Sequence, residues 1–153
     1  MRLADILMEN DIISDLKARD KKGVLEELAE VVSRHNPSVD RVVLVNVLVE
    51  RENLGSTGIG DGVAIPHGKL KGVDQPIVSF GRSKTGLDFD SMDAQPVHLF
   101  FLLIAPENSS GMHLQVLAKI AKILKNSAFR KLLMEASGRG DLYRTITDMD
   151  EES

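Results

Sequence analysis

Val24, Leu25, Leu28, Val31 and Val32 recur at i, i+1, i+4, i+7 and i+8, the spacing of one apolar stripe along an α-helix. The spacing predicts a helix over 20–35, capped by Asp20 and stopped by Asn36-Pro37. Ahead of it, Ile12-Ile13-Ser14-Asp15-Leu16 is a short apolar run suited to an edge strand. Residues 38–52 read two ways. Val42, Val43, Val45, Val47 and Val49 are β-branched and partly alternate, as a strand would. Their length, a capping Ser38 and the lack of an internal breaker favour a helix buried on most sides. Val63-Ala64-Ile65, Ile77-Val78-Ser79-Phe80 and residues 97–104 read as strands, with the turn-rich stretch 84–95 dividing the last two. Helical spacing then returns, with Leu114, Leu117, Ile120, Ala121 and Leu124 on one face. A second helix is expected from about Ser127 and a short third one near Asp141. Helices at both ends with strands between them imply an α/β layered domain.

Composition narrows the class. A chain of 153 residues is the size of one domain and can bury a core without covalent staples. It has no cysteine, so disulfides, thiolate nucleophiles and thiolate metal sites are excluded. The first ten residues lack a long apolar core and carry Asp5 and Glu9, which argues against a signal peptide. No apolar run reaches the roughly 20 residues of a membrane span. A cytoplasmic protein with no membrane insertion is therefore expected. Net charge is −4, there is no Trp and one Tyr, and no basic block is longer than Lys21-Lys22. Without a basic stripe or stacking aromatics, nucleic acid is not an expected partner. The last six residues hold four acids and read as a solvated tail over 148–153, leaving 1–147 as the folded domain.

The candidate chemistry lies in residues 51–69, where Gly55, Gly58, Gly60 and Gly62 precede Ile65-Pro66-His67-Gly68. Clustered glycine marks positive φ or close backbone approach, and Pro66 fixes one dihedral just before the histidine. Standard phosphate motifs fail here. Gly68-Lys69 is followed by Leu70 rather than Ser or Thr, and Gly58-Ile59-Gly60 meets Val63 where a third glycine belongs. His35, His67, His98 and His113 show no metal-ligand spacing.

His67 remains as a nucleophile candidate. A neutral imidazole can attack phosphorus, and its near-neutral pKa also makes it a fair leaving group. Such chemistry needs one bare nitrogen, a second nitrogen held by a hydrogen bond, and donors for the phosphoryl oxygens. Gly58, with the rest of the glycine-rich backbone, could supply N–H groups, Ser56 and Thr57 hydroxyls, and Arg51 a planar cation. Each has a plainer reading. A lone histidine is often structural, a glycine-rich loop is often only a turn, and Arg51 beside Glu50 and Glu52 could be a surface ion pair. His35 fits a helix end and His98 an alternating surface or satisfied position in an apolar strand. On the residues alone these alternatives stay open.

The stretch from Arg51-Glu52-Asn53-Leu54-Gly55-Ser56-Thr57-Gly58-Ile59-Gly60 into Gly62-Val63-Ala64-Ile65-Pro66-His67-Gly68 resembles a known family. It is similar to the enzyme IIA domain of the fructose/mannitol family of the phosphoenolpyruvate-dependent phosphotransferase system, most of all to the nitrogen-type, regulatory branch. The likeness extends to residues 12–17, to the apolar run Leu99–Ala105 with Pro106, and to His113-Leu114-Gln115-Val116-Leu117-Ala118. The resemblance implies a three-layer α/β/α sandwich around a small mixed sheet, and it makes residues 38–52 a helix. It implies that His67 accepts a phosphoryl group from a histidine of the carrier protein HPr or its nitrogen-type counterpart. It further implies that His113 lies beside His67, and that Arg51 stabilises negative charge.

Neither a metal nor an organic cofactor is implied, and ATP is not the expected donor. Sugar-transporting relatives pass phosphate to a IIB domain that often bears a cysteine. This cysteine-free chain would need a separate acceptor, or would signal to target proteins through its phosphorylation state. The rival readings are a sugar-specific IIA subunit feeding a separate IIB protein, and a binding module of the same fold that is never phosphorylated.

Overall fold

A turn of 3-10 helix (Leu3–Asp5) leads into strand β1 (Leu7–Ile13) and two helices, α1 (Lys21–His35) and α2 (Arg41–Asn53). Three short strands follow, β2 (Gly58–Gly60), β3 (Val63–Ala64) and β4 (His67–Leu70), then two long ones, β5 (Ile77–Leu87) and β6 (Val97–Pro106). Helices α3 (Ser110–Leu124), α4 (Ser127–Glu135) and α5 (Arg139–Glu152) complete the chain. The structure, a computed structural model, describes residues 2–152, the side chains of Ser110, Glu151 and Glu152 excepted.

The sheet is mixed and runs in the order β1-β5-β6-β3-β2, with β4 also paired to β6. β6 is apolar along most of its length because both its faces are covered. Leu99, Phe101 and Leu103 point into one core, shared with Val116 and Ile120 of α3, Phe129 of α4 and Leu142 of α5. Phe100, Leu102 and Ile104 point into the other, against Leu25, Leu28 and Val32 of α1 and Leu44 and Leu48 of α2. The outcome is the expected α/β/α sandwich, with two helices on one face and three on the other.

Along one edge of β6, β3 and β4 lie end to end and both parallel to it. Val63 stands opposite Leu99 and His67 opposite Leu103. The break falls at Ile65-Pro66, since Pro66 has no N–H to give a ladder. His67 is the first residue past that break.

Several elements differ from the sequence reading. Asp20 caps α1 as expected, its carboxylate accepting the Gly23 N–H at 2.7 Å, but the cap of α2 is Asp40, not Ser38. α2 is not buried on most sides: Leu44, Val45, Leu48 and Glu52 face inward, whereas Val42 and Val43 are exposed. As an outer-layer helix it covers α1 and β4 with one face only. β1 is an edge strand but starts at Leu7 and stops at Ile13. The polar run Glu9-Asn10-Asp11 conceals it, and the register with β5 shifts across that run. β5 continues into the stretch expected to be turns. On α3 the buried face is Val116, Ile120, Ile123 and Leu124, with Leu114 turned to solvent.

α5 is longer than expected and begins at Arg139. Asp148 to Glu152, expected in a solvated tail, form its last turns, and Ser153 lies outside the described residues. Asp150 is buried there. Its Oδ2 accepts the Leu3 N–H at 2.7 Å and its Oδ1 pairs with Lys119 at 2.9 Å, so this acidic turn is bound to the start of the chain.

Candidate functional site

The glycine-rich stretch is only partly a loop. β2 and β3 form a hairpin closed by Asp61-Gly62, whose φ angles of 57° and 77° are both positive. Asp-Gly suits such a two-residue turn, because both central positions need a left-handed backbone. The hairpin returns the chain so that the Ile65 N–H donates to the Thr57 carbonyl at 3.0 Å. Pro66 and His67 follow directly.

Both nitrogens of His67 are held. Nδ1–H donates to the Ile65 carbonyl at 2.8 Å, and Nε2 accepts the Nε–H of Arg51 at 3.2 Å. One tautomer satisfies both bonds: the proton on Nδ1, the lone pair on Nε2. The ring is half-buried. Burial, first of all, lowers its pKa below the ordinary value of 6.5; the Ile65 carbonyl opposes this, the Arg51 cation adds to it, and Glu52 opposes it. His67 is thus neutral near pH 7, with a lone pair on the nitrogen facing Arg51. Arg51 is aimed in turn by the Gly55 carbonyl, which accepts its Nη1–H at 2.8 Å.

Gly68 sets how closely α2 approaches. A Cβ at this position would meet Cγ1 of Val47 at 2.5 Å. Val47 and Arg51 are one turn apart on α2, so the missing side chain lets the helix that carries Arg51 settle against the strand that carries His67.

His113 joins from the opposite layer. It sits in the first turn of α3 on the buried side, 7% exposed, with its ring centroid 5.2 Å from that of His67 and tilted by 59°. Burial is the main cause of its lowered pKa, and His67 and Lys69 add to it. Among the described residues its buried Nδ1 has no hydrogen-bond partner. The fold therefore brings together Arg51, His67 and His113 from α2, β4 and α3.

Ser56, Thr57 and Gly58 lie beside this group but are otherwise engaged. Ser56 Oγ donates to the Phe89 carbonyl at 2.9 Å and accepts the Gly58 N–H at 3.0 Å. Thr57 is buried, and its hydroxyl donates to Glu52 in a short bond. The three groups expected to cradle a phosphoryl are spent on holding the loop.

Glu52 escaped the sequence reading. It is 7% exposed, accepts the Thr57 N–H at 3.1 Å, and pairs with Lys21 Nζ at 3.0 Å. Leu44, Leu48 and Glu52 at i, i+4 and i+8 continue one buried face, so an acid in phase with the apolar stripe was the available signal. His98 Nδ1 lies 2.9 Å from the Ser83 carbonyl, a satisfied position as expected. His35 does more than end a helix, because its Nδ1 lies 2.8 Å from the buried Asp11 carboxylate.

Among the described residues no group of three or more His, Cys, Asp or Glu side chains is placed to hold a metal ion, and no helix is long and apolar enough to cross a membrane.

Residues 5–149 match the family described as "Phosphoenolpyruvate-dependent sugar phosphotransferase system, EIIA 2". The nitrogen regulatory protein of Pseudomonas aeruginosa is 38% identical over 149 residues, which are 97% of this chain and 97% of that protein. The fructose-specific EIIABC component of Bacillus subtilis is 34% identical over 151 residues, 99% of this chain but 24% of that protein. The crystal structure of the nitrogen regulatory protein IIA-Ntr from Neisseria meningitidis is similar with a TM-score of 0.89 at 37% identity, covering 95% of this chain and 99% of that one.

Proposed function

The chain belongs to the EIIA 2 family of the phosphoenolpyruvate-dependent sugar phosphotransferase system, and we propose that it takes its phosphoryl group on Nε2 of His67. It is a phosphoryl carrier with a regulatory role, in keeping with its nitrogen regulatory relatives. The observation that supports His67 as acceptor is its fixed tautomer. The Ile65 carbonyl keeps the proton on Nδ1, so the unprotonated nitrogen of this half-buried ring is Nε2, toward Arg51.

The donor is a phosphohistidine of an HPr-like carrier. The Nε2 pair of His67 forms a bond to phosphorus as the donor's N–P bond breaks, and that electron pair returns to the donor's ring. No proton needs to leave His67, because positive charge gathering on the imidazole is met by the Ile65 carbonyl. Arg51 starts on the lone pair that attacks. Its Nε–H passes to a phosphoryl oxygen as the pair is used, exchanging a neutral acceptor for a charged one. His113, kept neutral by burial, stands close enough to donate a ring N–H to another phosphoryl oxygen. Ser56, Thr57 and Gly58 hold the loop on which His67 is presented. A carrier of this kind meets its donor in the cytoplasm.

The product places about −1.5 to −2 of charge on the surface. That is enough to change which protein docks there, and target proteins would read this state. A fructose-specific EIIA component at 34% identity, from Haloferax volcanii, supports a second reading, transfer onward to a separate IIB protein. Presenting the phosphorylated chain to candidate IIB proteins separates the two, since a regulator keeps its label while a sugar subunit loses it. The acceptor assignment itself is tested by phosphorylation of wild type and His67→Ala from phosphoenolpyruvate through the carrier chain.

A further inference from the structure

We infer that Glu52 is the positioning residue of this site, its carboxylate fixing the Nδ1 side of His67 through a chain of hydrogen bonds across the hairpin, while a second chain made through its main-chain carbonyl reaches Nε2. The first chain runs through the hairpin. Glu52 holds the Thr57 N–H and hydroxyl, the Thr57 carbonyl holds the Ile65 N–H, and the Ile65 carbonyl holds Nδ1–H of His67. The second runs through the helix end. The Glu52 carbonyl accepts the Gly55 N–H at 3.1 Å, and the Gly55 carbonyl holds Nη1 of Arg51, whose Nε–H meets Nε2 of His67. The second starts from the Glu52 main-chain carbonyl, so only the first depends on the carboxylate.

The carboxylate is 4% exposed, and an isolated charge so placed is costly unless paired. Lys21 supplies the counter-charge. Its Nζ lies 3.0 Å from Oε1, over the Phe89 ring at 4.9 Å from the centroid. The Phe89 carbonyl accepts the Ser56 hydroxyl, so the residue that seats Lys21 also ties the glycine loop. Lys21 begins α1, which sits in the same layer as α2. A lysine from one helix thereby neutralises the acid that organises the loop after the next.

The role is one of geometry and tautomer rather than contact with the reacting atoms. Without the ionised Glu52, Thr57 is released, the Ile65 carbonyl drifts, and His67 is free to place its proton on Nε2. That tautomer carries its lone pair on Nδ1, against the Ile65 side, and leaves none on Nε2 to attack with. Misplacement on the scale of an ångström costs roughly a hundredfold in rate.

The test uses Glu52→Gln, which keeps the shape but loses the charge, together with Lys21→Met and Thr57→Val. The rate arm rests on the phosphoryl-acceptor reading of His67, whereas the spectroscopic arm does not. ¹⁵N-detected imidazole spectra of the full chain report the tautomer directly. Wild type is expected to show His67 protonated on Nδ1, and Glu52→Gln to show a mixture of both forms. Phosphorylation by the HPr-like carrier should slow roughly tenfold to a hundredfold in Glu52→Gln and by a smaller factor in the other two. Should Glu52→Gln fail to fold, Lys21→Met and Thr57→Val decide by the same spectra. If the folded variants keep the wild-type tautomer and rate, the inference is overturned. If wild type accepts no phosphoryl group, the acceptor reading fails, and the tautomer shift alone decides the role of Glu52.

Discussion

Arg51 donates its Nε–H to Nε2 of His67 at 3.2 Å, so a cation rests on the one nitrogen whose lone pair is free. A planar guanidinium can hold Gly55 with one nitrogen and the imidazole with another; an ammonium cannot do both in that geometry. Arg51→Lys should therefore keep the fold and slow carrier-driven phosphorylation roughly a hundredfold, the scale of losing one charge-stabilising donor. Single-turnover rates and a thermal melt on the same sample check this. An unchanged rate would remove Arg51 from the site.

Gly68 and Val47 meet with no room for a methyl group. Gly68→Ala should destabilise the protein by about 1–3 kcal/mol, as overpacking does, and should also push Arg51 away from His67. Val47→Ala makes space at the same spot. Denaturant titration of both single variants and the double variant should show partial rescue of Gly68→Ala, with part of the phosphorylation rate restored.

His67 and His113 both have pKa values below the ordinary 6.5, chiefly through burial. The folded state disfavours their cations. Their contribution to stability is complete above the unfolded value, begins to fall once pH drops below it, and is gone below the folded values. Urea midpoints should hold above pH 6.5 and decline beneath it, with a shallower decline in His113→Gln. NMR titration should place both imidazole midpoints below 6.5; a midpoint at or above that value would contradict the assignment.

Asp150 joins the last turn of α5 to Leu3 and Lys119. Asp150→Ala should cost about 1–3 kcal/mol, the penalty for stripping a buried N–H of its acceptor. The neighbouring Asp148→Ala serves as the comparison. Equal and negligible effects in chemical denaturation would mean that the acidic turn contributes nothing.

Pattern made α1 and β6 legible, because each pairs an apolar run with a stop signal, Asn36-Pro37 for the one and Pro106 for the other. It failed at β1, where Asp11 is buried by a local partnership with His35 and Asn36 that no hydropathy count registers. It failed at the end of α5 for the same reason, since an acid can be internal when a backbone N–H and a lysine await it. At the site, His67 announced itself through Pro66 and the glycines. His113 could be placed only through family resemblance, because chain separation hides a contact made across the sheet. Ser56 and Thr57 hydroxyls near glycines can serve either a ligand or the loop, and sequence does not show the loop bonds they make to Phe89 and Glu52. Glu52, which holds Thr57, entered the sequence reading only as one possible partner of Arg51 in a surface ion pair.

The most direct measurement is intact-mass analysis after incubation with phosphoenolpyruvate, the first enzyme of the system and its HPr-like carrier. Wild type should gain a single phosphoryl group that is lost in acid, and His67→Ala, shown to be folded, should gain none. A wild-type chain that stays unmodified, or a His67→Ala chain that takes up the same label, would contradict the assignment of His67 as the phosphoryl acceptor.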